Sequence, residues 1–179
     1  AIEASMEGGA RTTQLGVLIV DPESRAIHSV LMTLEGFVLF DAEDKGRITI
    51  NRAVPPFDTM IFAEKLMSDI RLAFLRPTLP VLASGVIPGG TSVCRFRTEQ
   101  GMTQDIALPL NTAEREIRLY TEQNELARKV TIHKPDNRGI SEKIVLEAYG
   151  FREYSLQMRL ITAETIKDEN REIKTKENQ

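Results

Sequence analysis

Apolar and polar residues alternate along most of this chain, in short runs separated by turn residues. Alternation at every second position is typical of strands with one buried face. Runs at 14–21, 26–33, 37–40 and 47–51 are separated by turns rich in Pro, Gly and Asp, and they predict a four-stranded meander. Further strands are predicted at 92–98, 103–108, 116–121, 126–133, 143–149 and 154–161.

One segment follows a helical period instead. It begins after Pro55-Pro56, with Asp58 as the expected N-cap, and ends at Pro77. Its apolar stripe recurs every four residues and consists of Phe62, Leu66, Ile70 and Phe74. Strands, one helix and more strands predict an α+β fold: a curved antiparallel sheet, or incomplete barrel, covered by one main helix.

The whole chain divides into three predicted parts. A length of 179 residues suits a single domain, which is expected at 12–163. Residues 1–11 are small and polar and are predicted to be a flexible stub that remains after removal of a signal or anchor. Residues 164–179 are nearly all charged or polar and are predicted to form a disordered tail. The segment 78–91, rich in Pro and Gly, is predicted to be a loop.

Composition narrows the possible partners. The formal net charge is -3, without the basic excess that duplex binding requires, so nucleic acid is not an expected partner. The chain has no Trp, and 6% of its residues are aromatic, which disfavours a stacking site for sugars or bases.

Candidate chemistry is sparse. No metal-ligand spacing, phosphate loop, dinucleotide fingerprint or nucleophile elbow occurs. The single cysteine, Cys94, has only His28 and His133 as conceivable bases and is interpreted as a small buried hydrophobe. The acidic group at 41–44 is interpreted as a solvated turn. The expectation is a protein without enzymatic activity, metal or cofactor, and a hydrolase with a scattered site is the remaining enzymatic alternative.

Two segments carry a family resemblance. Residues 29–40 (SVLMTLEGFVLF) form a strand–turn–strand with an apolar residue shortly before a glycine, and 62–67 (FAEKLM) begins the helix. Together with the order of elements from 15 to 160, they resemble the lipoprotein-localisation superfamily of Gram-negative bacteria. Its members are the periplasmic carrier LolA and the outer-membrane acceptor LolB, and the chain resembles the LolB-like lipoproteins of unknown function. LolB has an exposed apolar residue directly before the glycine; here Glu35 stands there and Leu34 precedes it.

The resemblance implies a half-barrel that holds a lipid or acyl chain under a helical lid, at the periplasmic face of the outer membrane. An N-terminal signal or membrane anchor would have been removed, and Leu34 would contact the membrane or a protein partner. Ten apolar positions are expected to line the ligand site: Val38, Phe40, Phe62, Leu66, Ile70, Phe74, Leu119, Val130, Leu146 and Leu156. The alternative is a structural or assembly lipoprotein that binds no ligand and docks a protein partner through a sheet edge or the Leu34 turn.

Overall fold

The computed structural model describes residues 1–6, 8–110, 112–137, 140–150 and 153–166. These residues form one helix and twelve strands, and the twelve strands belong to a single sheet. The elements, in chain order, are β1 Ile2–Met6, β2 Arg11–Val20, β3 Ile27–Met32, β4 Val38–Asp44, β5 Ile48–Ala53, α1 Met60–Phe74, β6 Val81–Ile87, β7 Thr91–Arg97, β8 Thr103–Leu108, β9 Arg115–Tyr120, β10 Leu126–His133, β11 Lys143–Ala148 and β12 Tyr154–Arg159.

The sheet is antiparallel and open. Its strand order is β5-β4-β3-β2-β1-β12-β11-β10-β9-β8-β7-β6, so β5 and β6 are the two edges. The helix α1 therefore connects one edge of the sheet to the other. The predicted combination of an antiparallel sheet and one helix is confirmed, and ten of the twelve strands overlap the predicted runs.

The sheet is strongly curled. Gly46 and Ile48, at β5, line the same cavity as Arg97 and Met102, which flank the β7–β8 turn. In the strand order β5 and β7 are ten spacings apart, which would separate them by about 48 Å in a flat sheet. A cavity of about 640 Å³ cannot bridge that distance, so the two halves of the sheet curl towards each other around α1.

The prediction of a flexible stub at residues 1–11 is wrong for Ile2–Met6. This segment is β1, which lies in the middle of the sheet between β2 and β12. Its Ile2 side chain lies over Gly16, where a Cβ atom would be only 2.7 Å from the Ile2 Cδ1 atom. The run is short and contains few large apolar residues, so its pattern is too weak to be recognised in the sequence, and its place in the sheet is set by pairing with β2 and β12.

The prediction of a loop at 78–91 is also incomplete, because β6 lies within it. All seven residues of β6 are exposed, so no alternation marks the strand in the sequence. It is held by its backbone ladder to β7, with a bulge between Val81 and Ala83.

The helix differs from its prediction at the cap and on its buried face. Thr59 is the N-cap, and its Oγ1 accepts a hydrogen bond of 3.2 Å from the backbone N–H of Phe62. The buried residues of α1 are Ala63, Met67, Asp69, Ile70, Leu72 and Ala73. Of the predicted stripe only Ile70 is buried, while Phe62 and Leu66 are half-buried and Phe74 is exposed, and the buried face includes a carboxylate.

The apolar core consists of two clusters, one on each side of α1. Ala63, Met67 and Ile70 pack on β3 and β4 in the N-terminal half of the sheet. Leu72 and Ala73 pack on β9, β10 and β11 in the C-terminal half. One helix therefore supplies the cover for both halves.

Candidate functional site

A buried polar cluster joins α1 to the C-terminal half of the sheet. Asp69, on α1, is buried, and its Oδ1 accepts a hydrogen bond of 3.0 Å from Arg128 Nε on β10. Its Oδ2 accepts a hydrogen bond from the Tyr154 hydroxyl on β12. The Arg128 guanidinium also lies over the Tyr154 ring, 5.5 Å from its centroid. We call Asp69, Arg128 and Tyr154 the C-side latch.

The environment of Tyr154 keeps its hydroxyl protonated. Burial, and then the charge of Asp69, raises the pKa of the Tyr154 phenol well above its ordinary value. Because the phenol stays neutral, it remains a hydrogen-bond donor to the carboxylate.

A second ion pair joins α1 to the N-terminal half. Arg71, two residues after Asp69, pairs with Asp44 at the end of β4. Asp44 is almost fully buried, and its Oδ1 also accepts a hydrogen bond of 3.0 Å from the backbone N–H of Gly46. Within the described residues, Asp44 Oδ2 has no hydrogen-bond donor other than the Arg71 guanidinium that it faces. We call Asp44 and Arg71 the N-side latch; the solvated turn predicted at 41–44 is instead the end of a strand.

An open cavity of about 640 Å³ lies at the C-terminal end of α1. Arginines, two glutamates and apolar side chains share its wall. The lining residues used below are Arg25, Ile48, Glu64, Arg71, Leu72, Leu75, Arg76, Arg97, Glu99, Met102 and Leu119. We call this space the C-terminal cavity.

The ten predicted lining residues do not share one open space. Phe40 and Val130 have no exposed surface and Leu146 has almost none, so they touch protein on all sides and border no space wide enough for water. Ile70 is also buried, while Phe62 packs edge-to-face on Phe40 with ring centroids 5.2 Å apart. In the structure these side chains fill the space between helix and sheet.

The remaining predicted lining residues lie at the margins. Leu119 is buried and is the one member of the ten that lines the C-terminal cavity. Val38, Leu66 and Leu156 are half-buried, and Phe74 is 43% exposed at the last turn of α1. Phe40 and Phe62 belong to the N-terminal cluster, whereas Leu119 and Val130 belong to the C-terminal one.

Leu34 is exposed, as its predicted contact role requires. It lies in the turn between β3 and β4, with 59% of its surface exposed, and the nearby Phe37 is also exposed. Arg52, on β5, lies over the Phe37 ring at 5.4 Å from its centroid. A membrane or partner contact at Leu34 stays a prediction.

Each of the two histidines considered as a base for Cys94 is paired with a carboxylate. His28 Nε2 lies 2.9 Å from Asp41 Oδ1, and His133 Nδ1 lies 2.7 Å from Glu114 Oε1. Cys94 is a half-buried free thiol on β7. Among the residues that the structure describes, no three His, Cys, Asp or Glu side chains are grouped to hold a metal ion.

The sequence interpretation missed both latches and the arginine-rich cavity. The available signal was Asp69 and Arg71 beside the apolar stripe, since charged residues next to a buried helix face are expected to have partners. Their partners, Arg128, Tyr154 and Asp44, lie on three different strands, and sequence spacing does not reveal such contacts.

No protein-family model matches the chain, and neither the curated proteins nor the solved structures contain a significant match. The resemblance to the LolA and LolB superfamily therefore stays a prediction. Within the described ranges, α1 does not have the length and apolar character needed to cross a membrane.

The C-side latch predicts a large difference between two arginines. Arg128→Met leaves the buried Asp69 carboxylate without its cation and should cost about 3–5 kcal/mol of unfolding free energy. Arg118→Met removes a more exposed ion pair with Glu116 on one strand and should cost less than about 1 kcal/mol. Urea unfolding followed by circular dichroism measures the unfolding free energy of both variants. Similar losses would show that the C-side latch stabilises the fold no more than an exposed ion pair does.

Proposed function

We propose that this protein is a non-enzymatic binder of an apolar ligand, such as an acyl chain, held between a curved sheet and a helical lid. The observation that carries the proposal is the arrangement of α1, which covers two separate apolar clusters and is tied to each half of the sheet by a polar latch. Movement of the helix away from the sheet would break both latches and expose apolar side chains on both halves.

Entry of the ligand is expected at the C-terminal cavity. It is open to solvent at the last turns of α1, and Leu72, Leu75 and Leu119 line it from the helix and from β9. An acyl chain that enters here meets the C-terminal apolar cluster, which begins at Leu72 and Leu119. Because Phe40, Val130 and Leu146 are fully enclosed, they become ligand contacts only after α1 moves away from the sheet.

The cellular role follows from the family resemblance. A carrier or acceptor of acyl chains would act at the periplasmic face of the outer membrane, with its ligand or cargo as a lipid partner. Leu34, exposed on the β3–β4 turn, supports this role as an apolar contact point for a membrane or a partner protein.

The lid proposal predicts that a weaker latch increases ligand affinity. Tyr154→Phe removes a hydrogen bond worth about 1–3 kcal/mol from Asp69, so the open state becomes more populated. Apparent affinity scales with the binding-competent fraction, so the dissociation constant for the neutral fluorescent probe N-phenyl-1-naphthylamine should fall by about tenfold.

Tyr149→Phe is the matched control, because Tyr149 lies outside both apolar clusters and both latches. Its dissociation constant should stay within about twofold of the wild-type value. Fluorescence titration at matched protein concentration measures all three proteins. Absence of probe binding, or weaker binding by Tyr154→Phe, would contradict the proposal.

A second candidate function, assembly without a ligand, rests on the β6 edge. No residue from Pro77 to Cys94 is charged, although charged residues make up 27% of the chain. Val86 is 70% exposed, and among the described strands β6 pairs only with β7, so the other side of its backbone is available to a further strand. Natural edge strands are usually protected by charges, and the flanking Pro80 and Pro88 protect only the ends.

The occupant that fits this edge is a second copy of the chain. Two β6 strands related by a two-fold axis would pair antiparallel without bringing like charges together. β5, the other edge, is less suitable because it contains Arg52 and is joined to α1 by a short connection.

Sedimentation over a range of protein concentrations tests this assembly. The wild type should form a dimer that dissociates on dilution, and Val86→Lys should be monomeric because a charge on the edge blocks pairing. Thr49→Lys, an exposed position on the β5 edge, should dimerise like the wild type. A wild-type protein that is monomeric throughout would rule out the β6 interface.

A further inference from the structure

The C-terminal cavity concentrates positive charge in a protein whose formal net charge is -3. Four arginines line it: Arg25, Arg71, Arg76 and Arg97. Two of the lining residues, Glu64 and Glu99, are carboxylates, and Asp44 stands behind Arg71. Four guanidinium groups therefore lie in or beside the C-terminal cavity with three carboxylates.

Two of the arginines are held in position by the protein. Arg71 is fixed by the buried Asp44, and Arg25 Nη1 donates a hydrogen bond of 3.0 Å to the backbone carbonyl of Arg76. Burial, and then the charge of Arg25, lowers the pKa of Arg71, while the charge of Glu99 raises it, so both a cation and a carboxylate lie near enough to act on Arg71. Holding like charges together favours an anion that could lie between them.

The other two arginines have free guanidinium groups. In the described part of the chain, neither the Arg76 nor the Arg97 side chain forms an ion pair. Glu99 is the nearest carboxylate in sequence to Arg97, and its Oε1 accepts a hydrogen bond of 3.1 Å from Thr78. Arg76 and Arg97 are both exposed and can turn towards a ligand.

Apolar side chains complete the same cavity. Leu72 and Leu75 come from α1 and its C-cap, and Leu119 comes from β9. Met102 packs against the same cluster as Leu72 and Leu119, whereas Ile48 packs against the N-terminal cluster. The cavity is therefore lined by both cationic and apolar side chains, and a volume of about 640 Å³ lies in the range of small-molecule sites.

We propose that the C-terminal cavity binds an amphiphile with an anionic head group. Arg25, Arg76 and Arg97 hold the carboxylate or phosphate of the head group, and the apolar chain lies against Leu72, Leu75 and Leu119. Arginine suits this role because its planar fork donates two hydrogen bonds to one carboxylate or phosphate. This inference rests on the proposed binding of an apolar ligand and specifies the chemistry of its polar end.

The test compares head groups at constant chain length by isothermal titration calorimetry, below the micelle concentration. The ligands are dodecanoate, dodecyl phosphate, neutral dodecanol and cationic dodecyltrimethylammonium, with inorganic phosphate as the head group alone. Dodecanoate and dodecyl phosphate should bind at least about tenfold more tightly than the neutral and cationic ligands. The preferred anion distinguishes a fatty acid from a lipid phosphate.

A pair of matched variants locates the head group. Arg76→Gln/Arg97→Gln should reduce dodecanoate affinity by about tenfold while leaving dodecanol affinity within about twofold. Arg115→Gln/Arg159→Gln makes the same change in net charge at exposed positions outside the cavity and should leave both affinities unchanged.

The outcomes separate this inference from the proposed function. Equal affinity for dodecanol and dodecanoate would overturn the head-group site and leave the apolar binding intact. If inorganic phosphate binds as tightly as dodecyl phosphate, the ligand is not an amphiphile, because the dodecyl chain would then contribute nothing to the affinity. Failure of every dodecyl ligand to bind would overturn both proposals.

Discussion

The contact on which the structure depends most is the buried carboxylate of Asp69 on the only helix of the described chain. A carboxylate in an apolar interior is costly unless it is paired and fully hydrogen-bonded, and here Arg128 and Tyr154 do both. These partners lie on β10 and β12, so the carboxylate fixes the position of the helix against half of the sheet. Arg71 and Asp44 fix it against the other half. An open, twelve-stranded sheet thereby gains a cover that apolar packing alone would place less specifically.

The same constraint links the fold to the proposed function. The apolar core is divided into two clusters, and α1 contributes residues to both. Movement of the helix away from the sheet therefore requires separation of its apolar contacts with both clusters as well as of the two latches. The C-terminal cavity is lined by Arg71 of the N-side latch and by Leu72 of the C-terminal cluster, so a ligand that enters there would meet one of the contacts that hold the helix.

The sequence predicted those elements whose own side chains reveal them. Strands such as β3 and β11 alternate clearly because one face packs on the core, and α1 has an apolar stripe ended by Pro77. The pattern does not reveal β1 and β6, because Ile2–Met6 is short and Val81–Ile87 is exposed along its whole length. The latches join residues far apart in sequence, so a periodic pattern could show that Asp69 lies on a helix but not that Arg128 reaches it. A periodic pattern also does not show which distant apolar residues meet, so the predicted lining residues are divided between two clusters in the structure.

The central claim, that α1 is a lid which opens separately from the sheet, is tested most directly by native-state hydrogen exchange at increasing urea concentration. Exchange of the amides of Met60–Phe74 should require less free energy than exchange of the core amides of β10 and β11. Exchange of helix and strand amides at one common free energy, with one common dependence on urea, would show that the helix leaves the sheet only when the whole protein unfolds and would contradict the account.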